Sequence, residues 1–198
     1  MEERVSLMNK KTIMLDMDDV ITIHGLSNLM EKFLGKKLEE TNNNTYYRQD
    51  LLGDKKDDFF KFFVTQNLYD NVDIVDNCKE VLEEICNYYD VYITTDYIWR
   101  DVPDYAGDNM RNKFNFLNKN FPFLDRRKYV FTGTKGIVKC DIRIDDKVEN
   151  LIGDDSEKYL FTAYHNKTIS KEELDKLGII RVNGWLELSK ILLTDYKK

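Results

Sequence analysis

Lys11-Thr12-Ile13-Met14-Leu15-Asp16-Met17-Asp18-Asp19-Val20 is apolar from Ile13 to Leu15 and then turns abruptly to carboxylates at Asp16, Asp18 and Asp19. A short run that is apolar at every position fits a parallel-sheet strand covered on both faces, and such sheets bind ligands beyond the carboxyl ends of their strands. Asp16 and Asp18 therefore stand where chemistry is expected. Carboxylates one residue apart, with no local cation, repel one another unless a hard metal ion intervenes, and Mg²⁺ takes oxygen ligands from few protein groups. The same stretch also reads as a helix cap or a solvated turn. An EF-hand is disfavoured, because a loop counted from Asp16 needs glycine sixth and glutamate twelfth, where this chain has Ile21 and Ser27.

The chain of 198 residues is long enough for one domain with a modest insertion, and its 42% hydrophobic and 13% aromatic content is that of a globular protein. A formal charge of −6 argues against a nucleic-acid polymer as partner, since such binding needs a basic surface. A small phosphorylated ligand held by a metal and a few lysines remains compatible with it. Cys78, Cys86 and Cys140 lack the close pairing of a zinc site or disulfide framework, and residues Met1 to Lys10 carry charges and no long apolar segment. These features point to a soluble, cytoplasmic protein with core thiols and no membrane partner; a homodimer is left open.

Past Val20, the spacing of Leu26, Leu29, Met30, Phe33 and Leu34 predicts a short helix with Ser27 as N-cap and Gly35 as its stop. A polar turn at Asn42-Asn43-Asn44 and a phenylalanine-rich helix around Phe59, Phe60, Phe62 and Phe63 follow. Cys78, Val81, Leu82, Ile85 and Tyr89 mark the next helix, which feeds a strand at Asp90 to Thr95. The interval 21–76 far exceeds the dozen or so residues a parallel crossover needs, and reads as a helical cap inserted after the first strand. A helix through Met110, Phe114, Leu117 and Phe121 comes next, then strands at Tyr129–Phe131, Ile142–Asp145, Lys158–Ala163 and Ile179–Val182, and a closing helix from Trp185 to Leu193. The expected fold is α/β, a three-layer Rossmann-like core of residues 1–20 and 77–198 around a parallel sheet, with residues 21–76 as the cap.

Four polar elements fall at or just after strand ends: Asp16 with Asp18, Thr95, Lys135, and Asp145 with Asp146. In a parallel sheet all four converge on one edge. Phosphoryl transfer needs an in-line nucleophile, a metal, donors for the phosphoryl oxygens and an acid for the leaving alcohol. Asp16 suits the nucleophile, which would form an aspartyl phosphate, and Asp18 the acid and base. Thr95 would hydrogen-bond the phosphoryl group and Lys135 balance its charge. Mg²⁺ would sit on Asp16, Asp146 and Asp18, the last through its main-chain carbonyl, with Asp145 orienting metal waters or Lys135.

Asp16-Met17-Asp18-Asp19-Val20, Thr95, Lys135 and Asp145-Asp146, in that order, resemble the four motifs of the haloacid dehalogenase superfamily of phosphatases. Within it the chain is most similar to the 5'(3')-deoxyribonucleotidases. The resemblance rests on Asp-Met-Asp-x-Val at Asp16, the step from Lys135 to Asp145, and Leu160-Phe161-Thr162-Ala163-Tyr164-His165-Asn166. It implies a Rossmann-like core with a small helical cap, Mg²⁺, and hydrolysis of nucleoside monophosphates. Several residues depart from the family pattern: Asp19 stands where glycine is usual, Asp96 where serine is expected, and Lys147-Val148 where Arg-Pro often follows the acidic pair. His24 occupies the position of a phenylalanine that packs on the nucleobase, so it reads either as a base-pocket residue or as part of the cap of the helix at Ser27. His165, Trp99 and Trp185 read as structural.

Two rivals share these parts. A phospho-receiver signalling domain uses an acidic pair, a hydroxyl residue, a lysine and Mg²⁺, but its phosphorylated aspartate lies on a middle strand and no large insertion follows the first. A phosphatase of the same class acting on a sugar phosphate or another small phosphomonoester differs only in the cap, which matches the family least.

Overall fold

The computed structural model describes residues 10–38 and 46–196, so the turn expected at Asn42-Asn43-Asn44 lies outside the described residues. Its centre is β1 (Thr12–Leu15), whose Ile13, Met14 and Leu15 are at most 1% exposed. A strand buried on both faces needs parallel neighbours covered by helices, and β1 has them. It pairs in parallel with β4 (Asp90–Thr95) on one side and β6 (Ile142–Asp145) on the other, setting Ile13 opposite both Val91 and Ile142. With β5 (Tyr129–Phe131), β7 (Glu157–Phe161) and β8 (Ile179–Val182), the sheet order is β5-β4-β1-β6-β7-β8, parallel throughout. The chain leaves β1 toward β4 and β5, then returns past β1 to β6. β1 therefore ends at the point where strand order reverses, the place where open parallel sheets form a crevice.

The period of two along the strands divides the interior into two layers. Ile13, Leu15, Val91, Ile93, Ile142, Ile144, Tyr159 and Phe161 join one large core with Val81, Leu82 and Ile85 of α3 (Cys78–Tyr88) and Leu188 and Leu192 of α6 (Trp185–Leu193). Leu160 points the other way, into a smaller cluster with Leu151, Leu174 of α5 (Lys171–Lys176) and Ile179. This is the three-layer α/β arrangement expected. Trp185 is buried, and its indole donates to Val20 O at 2.9 Å, joining α6 to the end of the opening stretch. β7 ends at Phe161, two residues before the strand end expected at Ala163, because Asn166 Nδ2 turns back to donate to Phe161 O at 2.8 Å.

After β1 the chain forms a two-residue antiparallel pair, β2 (Thr22–Ile23) with β3 (Asp73–Ile74). Between them lie α1 (Gly25–Leu34) and α2 (Lys56–Phe63), with a 3₁₀ turn at Arg48–Lys55 leading into α2. The N-cap expected at Ser27 is corrected: the cap lies three residues earlier, at His24, with φ 65° and no side-chain cap bond, and α1 starts at Gly25. The reason is Gly25, where a Cβ would stand 2.6 Å from Val72 Cγ1, so only glycine lets the helix start against that segment. Ser27 Oγ instead accepts from Arg48 Nη1. Gly35 closes α1 in the left-handed region at φ 67°, as expected. Phe59, Phe60 and Phe63 are buried, and Phe63 meets Trp99 and Tyr105 at 5.0 and 5.4 Å, so this cluster packs rather than awaiting a ligand. Each buried ring contributes roughly 1.5–3 kcal/mol to holding the helices of segment 21–76 against the rest. Among the described residues no helix is long and apolar enough to cross a membrane.

Candidate active site

Asp16 continues directly from β1, where its amide donates to Ile144 O at 2.9 Å and prolongs the β1–β6 ladder. Its side chain is buried, and Oδ1 accepts from the amide of Met17 at 2.6 Å and pairs with Lys135 Nζ at 2.7 Å. Lys135 comes from a 3₁₀ turn (Lys135–Ile137) after β5, and its ammonium also meets Asp145 Oδ2 at 2.7 Å. The other oxygen of Asp145 accepts from Lys147 N and Asn150 Nδ2. Asp145 is thus committed to Lys135 and to the loop that follows β6. Burial works to lower the Lys135 pKa, but the carboxylates of Asp16 and Asp145 outweigh it and keep the ammonium charged.

Asp18 faces a second cation. Lys113 of α4 (Ala106–Asn120), 2% exposed, places Nζ 2.5 Å from Asp18 Oδ2 and 2.5 Å from Thr95 Oγ1 at the end of β4. Tyr69 donates to Asp18 Oδ1 at 2.9 Å. Lost hydration works to raise the Asp18 pKa, but Lys113 and the Tyr69 hydroxyl bring it below the ordinary carboxylate value. Both carboxylate oxygens of Asp18 therefore have partners.

Asp146 follows β6 and is held from the β7 side. His165 Nε2 lies 2.6 Å from its Oδ2, and Asn166 Nδ2 donates to its carbonyl at 2.8 Å. Burial and the nearby Lys147 lower His165 to about 4, so the ring is neutral at physiological pH. Asp16, Asp145 and Asp146 bring carboxylate oxygens within 4.8 Å of one another, as do Asp19 and Asp146 with a nitrogen of His165. Burial, with Asp145 and Asp18, raises Asp16 to about 6 despite Lys135, and burial with Asp16 and Asp145 raises Asp146 well above its ordinary value. Such mutual repulsion in an all-oxygen donor set is what a hard divalent cation relieves, so the cluster of Asp16, Asp145 and Asp146 fits Mg²⁺.

With two acidic pairs, a hydroxyl and two lysines at one sheet edge, the chain matches known proteins over nearly its whole length. The model of a family described as "5' nucleotidase, deoxy (Pyrimidine), cytosolic type C protein" fits residues 10–196. The chain belongs to this nucleotidase family. A 5'(3')-deoxyribonucleotidase of Bacillus subtilis (strain 168) is 28% identical over 199 residues, covering 93% of this chain and 99% of that protein. A putative 5'(3')-deoxyribonucleotidase of Staphylococcus aureus (strain Mu50) is 29% identical over 196 residues, covering 96% and 100%. A haloacid dehalogenase-like hydrolase of Streptococcus pneumoniae shares the fold, with a TM-score of 0.55, 15% identity, and coverage of 96% and 99%. The chain is therefore a member of a phosphatase family of hydrolases with a haloacid dehalogenase-like fold.

In this nucleotidase the structure brings together Asp16, Asp18, Thr95, Lys135, Asp145 and Asp146. It does not bring His24 to them. His24 Nδ1 bonds Asp73 Oδ2 at 3.0 Å across the β2–β3 pair, and the ring lines a separate cavity of about 1110 Å³ with Asp76, Asn183 and Trp185. Asp19 has φ 57°, which explains why glycine is usual there. Burial, with Asp18 and Asp16, raises Asp19 to about 7. Asp96 turns its carboxylate to the amide of Ile98 at 2.9 Å. Lys113 and Tyr69 escape a reading of the sequence, because the helical period marks Met110, Phe114 and Leu117 and carries no signal that the lysine among them is buried. The Leu160–Asn166 stretch is a usable signal for Asp146: its histidine and asparagine are the two residues that hold that acid.

Proposed function

We propose that the chain is a Mg²⁺-dependent 5'(3')-deoxyribonucleotidase that hydrolyses nucleoside monophosphates through an aspartyl phosphate on Asp16. The observation that carries this reading is the separation of the two acids: Asp16 is paired with Lys135, and Asp18, two residues on, with Lys113, whose ammonium also donates to Thr95. Asp16 attacks phosphorus as a carboxylate, the P–O bond to the sugar breaks, and the leaving oxygen takes a proton from Asp18. In the free site Asp18 is held as a carboxylate; the approach of a phosphate dianion raises its pKa and lets it carry that proton. Asp18 then removes a proton from the water that attacks the phosphoryl group on Asp16, releasing phosphate and restoring the carboxylate. Lys135, Lys113 and Thr95 supply donors to the phosphoryl oxygens, and Asp145 keeps Lys135 in place. A bound Mg²⁺ would add neutralisation of phosphoryl charge.

The residues of segment 21–76, with Tyr46 and Arg48 at its described edge, serve as the cap that meets the leaving group. Tyr46 stacks edge-on against His165 at 5.1 Å, and Arg48 lies 3.7 Å over the Tyr164 ring. Cys78, Cys86 and Cys140 are all free thiols, which suits a reducing, cytoplasmic setting. Phosphate release measured across deoxyribonucleoside 5'- and 3'-monophosphates, ribonucleotides and sugar phosphates, with Mg²⁺ or EDTA, tests the proposal. Turnover should be fastest on a deoxyribonucleoside monophosphate and vanish in EDTA. A sugar phosphate turned over faster than every nucleotide would overturn the substrate while sparing the mechanism.

The raised acids also predict a pH dependence of stability. Asp16 at about 6 and Asp19 at about 7, against an ordinary 3.8, mean that the folded metal-free chain binds protons more tightly than the unfolded chain between those values. Stability therefore falls as pH rises through that window. Two depressed groups act in the opposite sense: His165, at about 4 against an ordinary 6.5, is outweighed in this window by Asp16, Asp19 and Asp146 together, and the contribution of Asp18 is lost only below the ordinary carboxylate range. Urea unfolding in EDTA should show lower stability at about pH 7.5 than at about pH 5, and saturating Mg²⁺ should remove the difference. Stability in EDTA that climbs with pH over this range would contradict a repelling acid cluster.

A further inference from the structure

β6 carries an arginine inside the sheet. Arg143 is 1% exposed and lies on the same face of the strand as Asp145, two residues later. Its Nε and Nη2 meet Asp154 Oδ2 at 2.9 and 2.5 Å, Nη2 also donates to Val138 O at 2.5 Å, and Nη1 reaches Lys135 O at 3.4 Å and Met14 Sδ at 3.2 Å. Asp145, from the same face, holds the other end of Lys135 through Nζ at 2.7 Å. One strand face thus grips this lysine at its main chain and at its ammonium.

Packing alone does not account for the arginine. A guanidinium is costly to bury unless its donors are used, and an aliphatic side chain would fill a covered strand position more cheaply. Apart from the Lys135 ammonium, held by Asp16 and Asp145, the turn it meets has little side-chain packing. Ile137, the apolar side chain of the Lys135–Ile137 turn, is 74% exposed, and Gly136 adds no side chain. The turn closes through Val138 N to Lys135 O at 3.0 Å, so Arg143 binds the two residues that end it.

We infer that Arg143 is a positioning residue for the phosphatase reaction, clamping the main chain of the Lys135 turn so that the ammonium stays between Asp16 and Asp145. The inference rests on the proposed function, in which Lys135 serves the phosphoryl group. Asp154 is the counter-charge that fixes the fork, and Arg143 holds its carboxyl well below the usual carboxylate range. An Arg143→Lys change would keep a charge opposite Asp154, but a single ammonium lacks the planar fork that spans the carboxylate and two carbonyls.

The test is steady-state phosphate release by Arg143→Lys and Asp154→Asn on the best deoxyribonucleotide, with amide hydrogen exchange read across residues 133–139. Arg143→Lys should lower kcat about tenfold with KM held within about twofold, since a misplaced lysine fails the transition state more than the bound substrate. Exchange should quicken in the Lys135 turn and stay unchanged in β1 and β6; Asp154→Asn should shift both readouts the same way by less. If Arg143→Lys does not fold, Asp154→Asn, altered at a side chain 32% exposed, decides by the same criteria. An active wild type whose variants both keep kcat within about twofold overturns the role of Arg143 and leaves the nucleotidase reading intact. A wild type that releases no phosphate from any phosphomonoester overturns that reading instead, and the inference with it.

Discussion

An Asp16→Asn chain should fold and bind substrate but release phosphate at least about 10⁴-fold more slowly than wild type, because an amide cannot form the aspartyl phosphate. The substitution is nearly isosteric, and Lys135 keeps its 2.7 Å pair with Asp145, so the ammonium is not left uncompensated. The change also removes one of the mutually repelling carboxylates that raise Asp146. The metal-free variant is therefore expected to be at least as stable as wild type at neutral pH, which separates loss of chemistry from loss of fold. Single-turnover phosphate release and urea unfolding on the same preparation decide it. Full turnover in Asp16→Asn would sink the covalent mechanism outright.

Lys113→Met should lower kcat by about 10²- to 10³-fold, the scale of losing one preorganised donor at a site of developing charge. The methionine preserves most of the volume inside α4 but removes the ammonium that bridges Asp18 Oδ2 and Thr95 Oγ1. Against the lost hydration that pushes Asp18 up, Lys113 is the leading influence that holds it low, so its loss raises the Asp18 pKa and leaves that side chain with Tyr69 as its principal partner. The stability cost is expected to be about 1 kcal/mol rather than several, since the Asp18 side chain is 46% exposed and water screens the carboxylate left behind. Stopped-flow phosphate release together with thermal unfolding provides the check. A kcat within about threefold of wild type would show that the bridge is structural only.

The strands and the acids at their ends are legible in the sequence because both are local signals. An apolar run bounded by polar residues identifies Ile13–Leu15 as a buried strand, Ile142–Asp145 repeats the pattern, and the residues at or after those ends must emerge on one edge if the strands are parallel. Thr95 and Lys135 follow from the same rule. The surroundings of His24 are not local: it stands eight residues after Asp16, and pairing of β2 with β3 sets it against Asp73. Ser27 fails as a cap for a similar reason, since the close approach of Gly25 to Val72 starts α1 earlier.

Asp16 and Asp18 are determined by the sequence as two acids at the carboxyl end of a central strand, with the order of the four motifs pointing to phosphoryl transfer. What only the tertiary structure decided is that they occupy different electrostatic environments. Lys135 arrives from beyond β5 and Lys113 from the middle of α4, one to each acid. Asp19, unassigned in the sequence, proves to be a residue in a left-handed turn facing Asp146 and His165. The reason is physical: a strand's own sequence sets which residues are buried and where the strand ends. Which charge faces which depends on helix orientation and on contacts between residues far apart in the chain, and these exist only once the layers have packed.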